Sequence, residues 1–85
     1  MLKKRVIELR AKAQRLRPTV HVGKEGVTPW VADEILRQLK KKKLVKVRLL
    51  PPQVQDREAA ARALAESTFS VLIEVRGNTV VLAQE

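Results

Sequence analysis

Apolar residues in this chain change their spacing several times, and each change marks a new element. Leu2, Val6, Leu9, Ala13 and Leu16 recur at alternating intervals of four and three, the stripe of an amphipathic helix. Lys3, Lys4, Arg5, Arg10, Lys12, Arg15 and Arg17 fill the rest of its circumference. Pro18 is expected to stop this helix, because it lacks an N–H and pushes Arg17 out of helical geometry. Thr19–Val22 then alternates polar and β-branched residues, as a short strand does. Thr28 suits an N-cap and Pro29 the first helical position. Val31, Ala32, Ile35, Leu36 and Leu39 form the apolar face of the second helix, which runs out in Lys40-Lys41-Lys42-Lys43.

From Leu44 to Leu50 the period changes to two, with Val45, Val47 and Leu49 on one face and Leu44, Lys46, Arg48 and Leu50 on the other. Pro51-Pro52 ends that strand, and Asp56 is placed to cap an alanine-rich third helix from Arg57 to about Ser67. Ser70–Arg76 and Thr79–Gln84 are expected to close the chain as a hairpin turned by Gly77-Asn78, with Val71, Ile73 and Val75 facing Val80 and Leu82. The order α-β-α-β-α-β-β implies an α/β (α+β) fold in two layers, an open four-stranded sheet with helices largely on one face. The chain's 85 residues suit a single domain, 1–85.

Gly23-Lys24-Glu25-Gly26 joins the first strand to the second helix. Two glycines let the backbone turn sharply and let a ligand approach closely, and Gly23 is the one for which a positive φ is anticipated. The following helix directs its free N–H groups and the positive end of its dipole toward the loop. Such a junction suits an anion, although an isolated GxxG most often marks only a turn. Lys24 adds a cation, whereas Glu25 weakens the site unless it faces away.

Charge sharpens the choice. Of the net +9, residues 1–48 carry +11 and residues 49–85 carry −2. A solvated surface needs no such asymmetry, whereas a polyanion-binding face does. Phosphate contacts are therefore expected from Gly23, Lys24, Glu25, Gly26 and Thr28 around the loop. Arg5, Lys12, Arg15, Arg17, Lys40, Lys41, Lys42 and Lys43 would extend the track. Lys46 and Arg48 join it if the second strand leaves its outer face open; a solvated strand face is the other reading. Aromatic content of 2% is Trp30 and Phe69 alone, too few for single-strand binders that stack bases on several rings. A half-buried packing role is expected for Trp30, beside the loop, ahead of stacking on a base. His21 is expected to be exposed near the loop.

Other chemistry finds little support. Asp33-Glu34 has the look of a helix surface, and no nucleophile–base set, metal-ligand cluster or cofactor motif is apparent, so an enzyme is not expected. Cysteine is absent, which fits a cytoplasmic protein. No apolar run approaches a membrane span or a signal peptide. The first helix lacks the bulky aromatics of a membrane-surface helix.

The segment Leu16-Arg17-Pro18-Thr19-Val20-His21-Val22-Gly23-Lys24-Glu25-Gly26-Val27-Thr28 resembles the core motif of the CRM domain, the YhbY-like RNA-binding family. Val31, Glu34-Ile35, Leu39, Leu44-Val45-Lys46-Val47, Asp56-Arg57-Glu58 and Val75-Arg76-Gly77-Asn78-Thr79-Val80-Val81-Leu82 continue the pattern over almost the whole chain. The resemblance implies a fold similar to the C-terminal domain of translation initiation factor three, with a mixed four-stranded sheet. It also implies binding of RNA, in large ribosomal subunit assembly in prokaryotes and in intron splicing in plant organelles, with ribosomal RNA or pre-ribosomal particles the expected partners here. Without a tail, the chain looks like the prokaryotic form. Gln14 stands where bacterial members usually have His, and Ala83-Gln84 replaces an aromatic-basic pair. The loop resembles the GxxG clamp of KH domains. An Alba-like chromatin protein coating DNA or RNA is the alternative, and a structural protein with an acidic partner a third.

Overall fold

A computed structural model describes residues 2–85. It contains α1 (Lys3–Ala13), β1 (Val20–Val22), α2 (Pro29–Lys42) and β2 (Leu44–Leu49), then a 3₁₀ turn (Gln53–Asp56), α3 (Arg57–Ser67), β3 (Val71–Arg76) and β4 (Thr79–Ala83). The strands form one mixed sheet in the order β1-β2-β4-β3. β1 runs parallel to β2, with α2 as the crossover that parallel neighbours require. β4 pairs antiparallel with both β2 and β3. The fold class and element order expected from the sequence are those observed.

Local chemistry explains most boundaries. The Thr28 hydroxyl accepts the Val31 N–H at 3.1 Å and caps α2. Asp56 does the same for Ala59 at 3.1 Å at the start of α3. At its far end α2 stops in Lys43, whose φ of 64° reverses the chain directly into β2. Gly77, with φ of 56°, takes the first central position of the β3–β4 turn, where a II′ turn needs a positive value. Arg57 donates to the Gly77 carbonyl at 2.9 Å and ties α3 to that turn. Leu50 is exposed and lies just beyond β2, which ends at Leu49.

Two apolar clusters fill the two sides of the sheet. Ile35 and Leu39 of α2 and Ala60, Ala61 and Leu64 of α3 pack with Val20, Val22, Val45, Val47, Leu49, Val80 and Leu82. On the opposite side, Leu9 and Ala13 of α1 pack with Leu44, Ile73, Val81 and Ala83. The layering is therefore helix–sheet–helix, three layers where the sequence pattern suggests two; α2 and α3 share one face, as expected, and α1 takes the other. Leu44 and Val81 give the outward side of the central strands enough apolar surface to hold a helix.

Two further expectations change. α1 ends at Ala13, before Pro18, because its contact with the sheet ends there. Leu16 stays 41% exposed, and Arg15 and Leu16 donate back to the carbonyls of Lys12 and Ala13 in a tightened last turn. Val71, Ile73 and Val75 do not share a face either. A bulge between Leu72 and Glu74 shifts the register, so Val71 and Ile73 meet α1 while Leu72 and Val75 meet the larger cluster.

Candidate nucleic-acid interface

The Gly23–Gly26 loop is a closed turn. The Gly26 N–H donates to the Gly23 carbonyl at 3.0 Å, and the same carbonyl accepts the Gln53 side-chain amide at 3.0 Å. Gly26 has φ of +72°, whereas Gly23 lies outside the left-handed region. The requirement for glycine thus falls on Gly26, the reverse of what the sequence suggested. A Cβ at Gly26 would also stand 3.4 Å from Gln53 Nε2, while one at Gly23 would make ordinary contact with Leu50 at 3.7 Å. Gln53 escaped the sequence reading. Its signal was indirect: a strand that pairs parallel with β1 and is followed by Pro51-Pro52 delivers the next residues beside the loop, where Leu50 N–H meets the Val22 carbonyl at 2.8 Å.

Around this turn lies an open depression of about 500 Å³ lined by His21, Gly23, Lys24, Glu25, Gly26, Thr28, Trp30 and Val31. The first turn of α2 borders it, so the dipole of a 14-residue helix points its positive end there. Lys24 is exposed; so is Glu25, which lies among the lining residues. His21 is exposed beside the loop, as expected. Trp30 is 84% exposed, not half-buried: Val31, Ile35 and Leu39 form the face of α2 that packs on the core, and at about 100° per residue Trp30 falls on the opposite side of the helix.

A second basic site forms where α1 meets the end of α2. Arg5, Lys12 and Arg15 from one side and Lys42 and Lys43 from the other rim a groove of about 620 Å³, with Leu9, Leu16 and Leu44 beneath. The left-handed turn at Lys43 makes this possible, because it hands the chain from α2 to Leu44 under α1. Arg5 also pairs with Glu8 at 3.7 Å, an exposed contact worth little. Lys40, Lys41 and Arg17 are exposed but do not line the groove. At 1.5 Å per residue, α2 separates loop and groove by about 20 Å.

The outer sheet face divides. Lys46 Nζ donates to the Ala13 and Leu16 carbonyls at 3.3 and 3.4 Å and so finishes α1. Arg48 is exposed and sits across from His21 on β1 and Thr79 on β4. Arg76 pairs with Thr79 in turn, extending this polar row to a cation that the sequence reading left out. Its periodicity was visible, but only strand order places it in line with Arg48, across Thr79. Gln14 lies with Lys46, Glu74, Arg76 and Thr79 around a smaller polar depression.

Known proteins resemble this chain in sequence and fold. The CRS1/YhbY (CRM) domain matches residues 1–83. A Bacillus subtilis protein named probable RNA-binding protein YqeI is 38% identical over 77 residues, covering 91% of this chain and 80% of its own. Probable RNA-binding protein MJ0652 of Methanocaldococcus jannaschii is 38% identical over 76 residues, 87% of this chain, which spans only 56% of that relative. The solution structure of SAV1595 from Staphylococcus aureus superposes with a TM-score of 0.84 at 31% identity, over all of this chain and 90% of that one. The match over residues 1–83 and the 38% identity to a relative over 91% of the chain lead to one assignment: the chain belongs to the CRS1/YhbY (CRM) domain family.

Proposed function

We propose that this protein binds structured RNA, holding phosphates at two places on one molecule. At the first, amides of the Gly23–Gly26 turn other than that of Gly26, which is spent on the Gly23 carbonyl, and those at the start of α2 receive a phosphate, with Lys24 and Thr28 beside it and Glu25 at the rim. At the second, Arg5, Lys12, Arg15, Lys42 and Lys43 follow the RNA backbone, with Arg17, Lys40 and Lys41 as outlying cations. Arg48 continues the track on the sheet, while Lys46 serves mainly to hold α1. The observation that carries this reading is the convergence of those five cations, from both ends of the basic half, on one groove. The RNA-binding names of the relatives support it.

Contacts of this kind position RNA without reading its sequence. The role is binding, in the cytoplasm, on ribosomal RNA during assembly of the large subunit. Affinity for a structured RNA is measured across a range of salt concentrations. The expected slope of log affinity against log salt is about −0.7 to −0.9 for each phosphate neutralised, amounting to several phosphates. A flat response overturns the proposal, and equal or tighter binding to duplex DNA favours an Alba-like coating protein instead.

A further inference from the structure

Trp30 is an apolar side chain that folding does not explain. It is 84% exposed and belongs to neither apolar cluster. Tryptophan is no better a helix former than many smaller residues, so the start of α2 does not require it. Its ring leaves on the order of 200 Å² of largely apolar surface in water. What it does instead is form a wall of the loop depression, with His21, Lys24, Gly26 and Thr28 as the other sides. Phe69 is equally exposed but sits between α3 and β3 and is absent from that lining.

We propose that Trp30 is a stacking platform for one unpaired RNA base, taken next to the phosphate held by the glycine turn. This rests on the RNA-binding reading and deepens it. A broad, rigid π face beside backbone donors matches the two ends of a nucleotide: the base lies on the indole while its phosphate meets the turn. Bases inside a continuous duplex present no free face. A single platform therefore directs the protein to a bulge or a loop within otherwise paired RNA, while the basic groove about 20 Å away follows the adjoining backbone. One ring suffices for this, where a single-strand binder needs several.

The chain has one tryptophan and no tyrosine, so its emission reports Trp30 alone. Emission and affinity are measured with two RNAs, a blunt duplex and the same duplex carrying one bulged adenine. The bulged RNA is expected to quench emission and to bind about tenfold more tightly, the scale of one stacked base. Trp30→Ala should abolish that preference with the melting temperature and the salt slope unchanged, and Trp30→Phe should restore part of it. If both RNAs bind without quenching, or Trp30→Ala keeps the preference, the stacking role is overturned while the RNA-binding reading stands. Failure of the parent to bind either RNA overturns both. An emission shift that follows protein concentration without RNA marks self-association through Trp30 and also overturns the proposal.

Discussion

Gly23 and Gly26 look equivalent in the sequence but have different duties. Gly26 holds φ of +72°, where a side chain costs roughly 1–2 kcal/mol, and Gln53 closes the space above it. Gly23 carries no such strain. Gly23→Asp is therefore the informative substitution: it should keep the melting temperature and weaken RNA binding by about 1.5–3 kcal/mol, the value of a charge-assisted hydrogen bond. Gly26→Asp should lower the melting temperature as well. Glu25→Gln should leave binding unchanged or tighten it. Parent-like affinity in folded Gly23→Asp would reduce the loop to a turn. The motif was legible because glycines bracket it; the division of labour was not, since either glycine could take the positive φ until the turn from the Gly23 carbonyl to the Gly26 N–H is seen. Exposure of Trp30 was legible in the helical period, which sets it on the side of α2 away from Val31, Ile35 and Leu39.

Helices and strands were legible wherever a chemical stop stands at their ends. Thr28-Pro29 and Asp56 start helices where expected, and the Gly77-Asn78 turn fixes the last hairpin. α1 has no such stop; its end is set by the sheet below and by Lys46 from a strand far along the chain. The bulge in β3 likewise has no local signature, so the faces of Val71 and Ile73 were misjudged. The lysine run also needed the tertiary structure to be divided. Lys42 lines the groove and Lys41 does not. Lys42→Gln combined with Arg15→Gln should flatten the salt slope by about 0.7–0.9 for each phosphate no longer neutralised, with stability altered by about 0.5 kcal/mol or less. Lys40→Gln with Lys41→Gln should have the smaller effect. If the two pairs behave alike, the whole run acts as a diffuse cationic cloud and the groove has no special part.

At the scale of the molecule, the groove depends on the smaller apolar cluster. α1 is held to the sheet by Leu9 and Ala13, by Arg10 donating to the Ile73 carbonyl at 3.4 Å, and by Lys46. Leu9→Ala should cost about 2–3 kcal/mol, toward the lower end for a buried leucine in so small a cluster. That corresponds to a fall of roughly 8–20 °C in Tm for a chain of this size. Calorimetry checks the cost, and binding below the melting range should weaken as Arg5, Lys12 and Arg15 lose their fixed places opposite Lys42 and Lys43. Unchanged affinity in a destabilised Leu9→Ala protein would show that the cations need no common scaffold. The two outermost strands carry a different consequence. β1 offers only three residues, and the bulge breaks the straight run of β3. A neighbouring chain seeking to add a strand finds neither a long row of open amides nor a flat one, so both edges of the sheet disfavour edge-to-edge association.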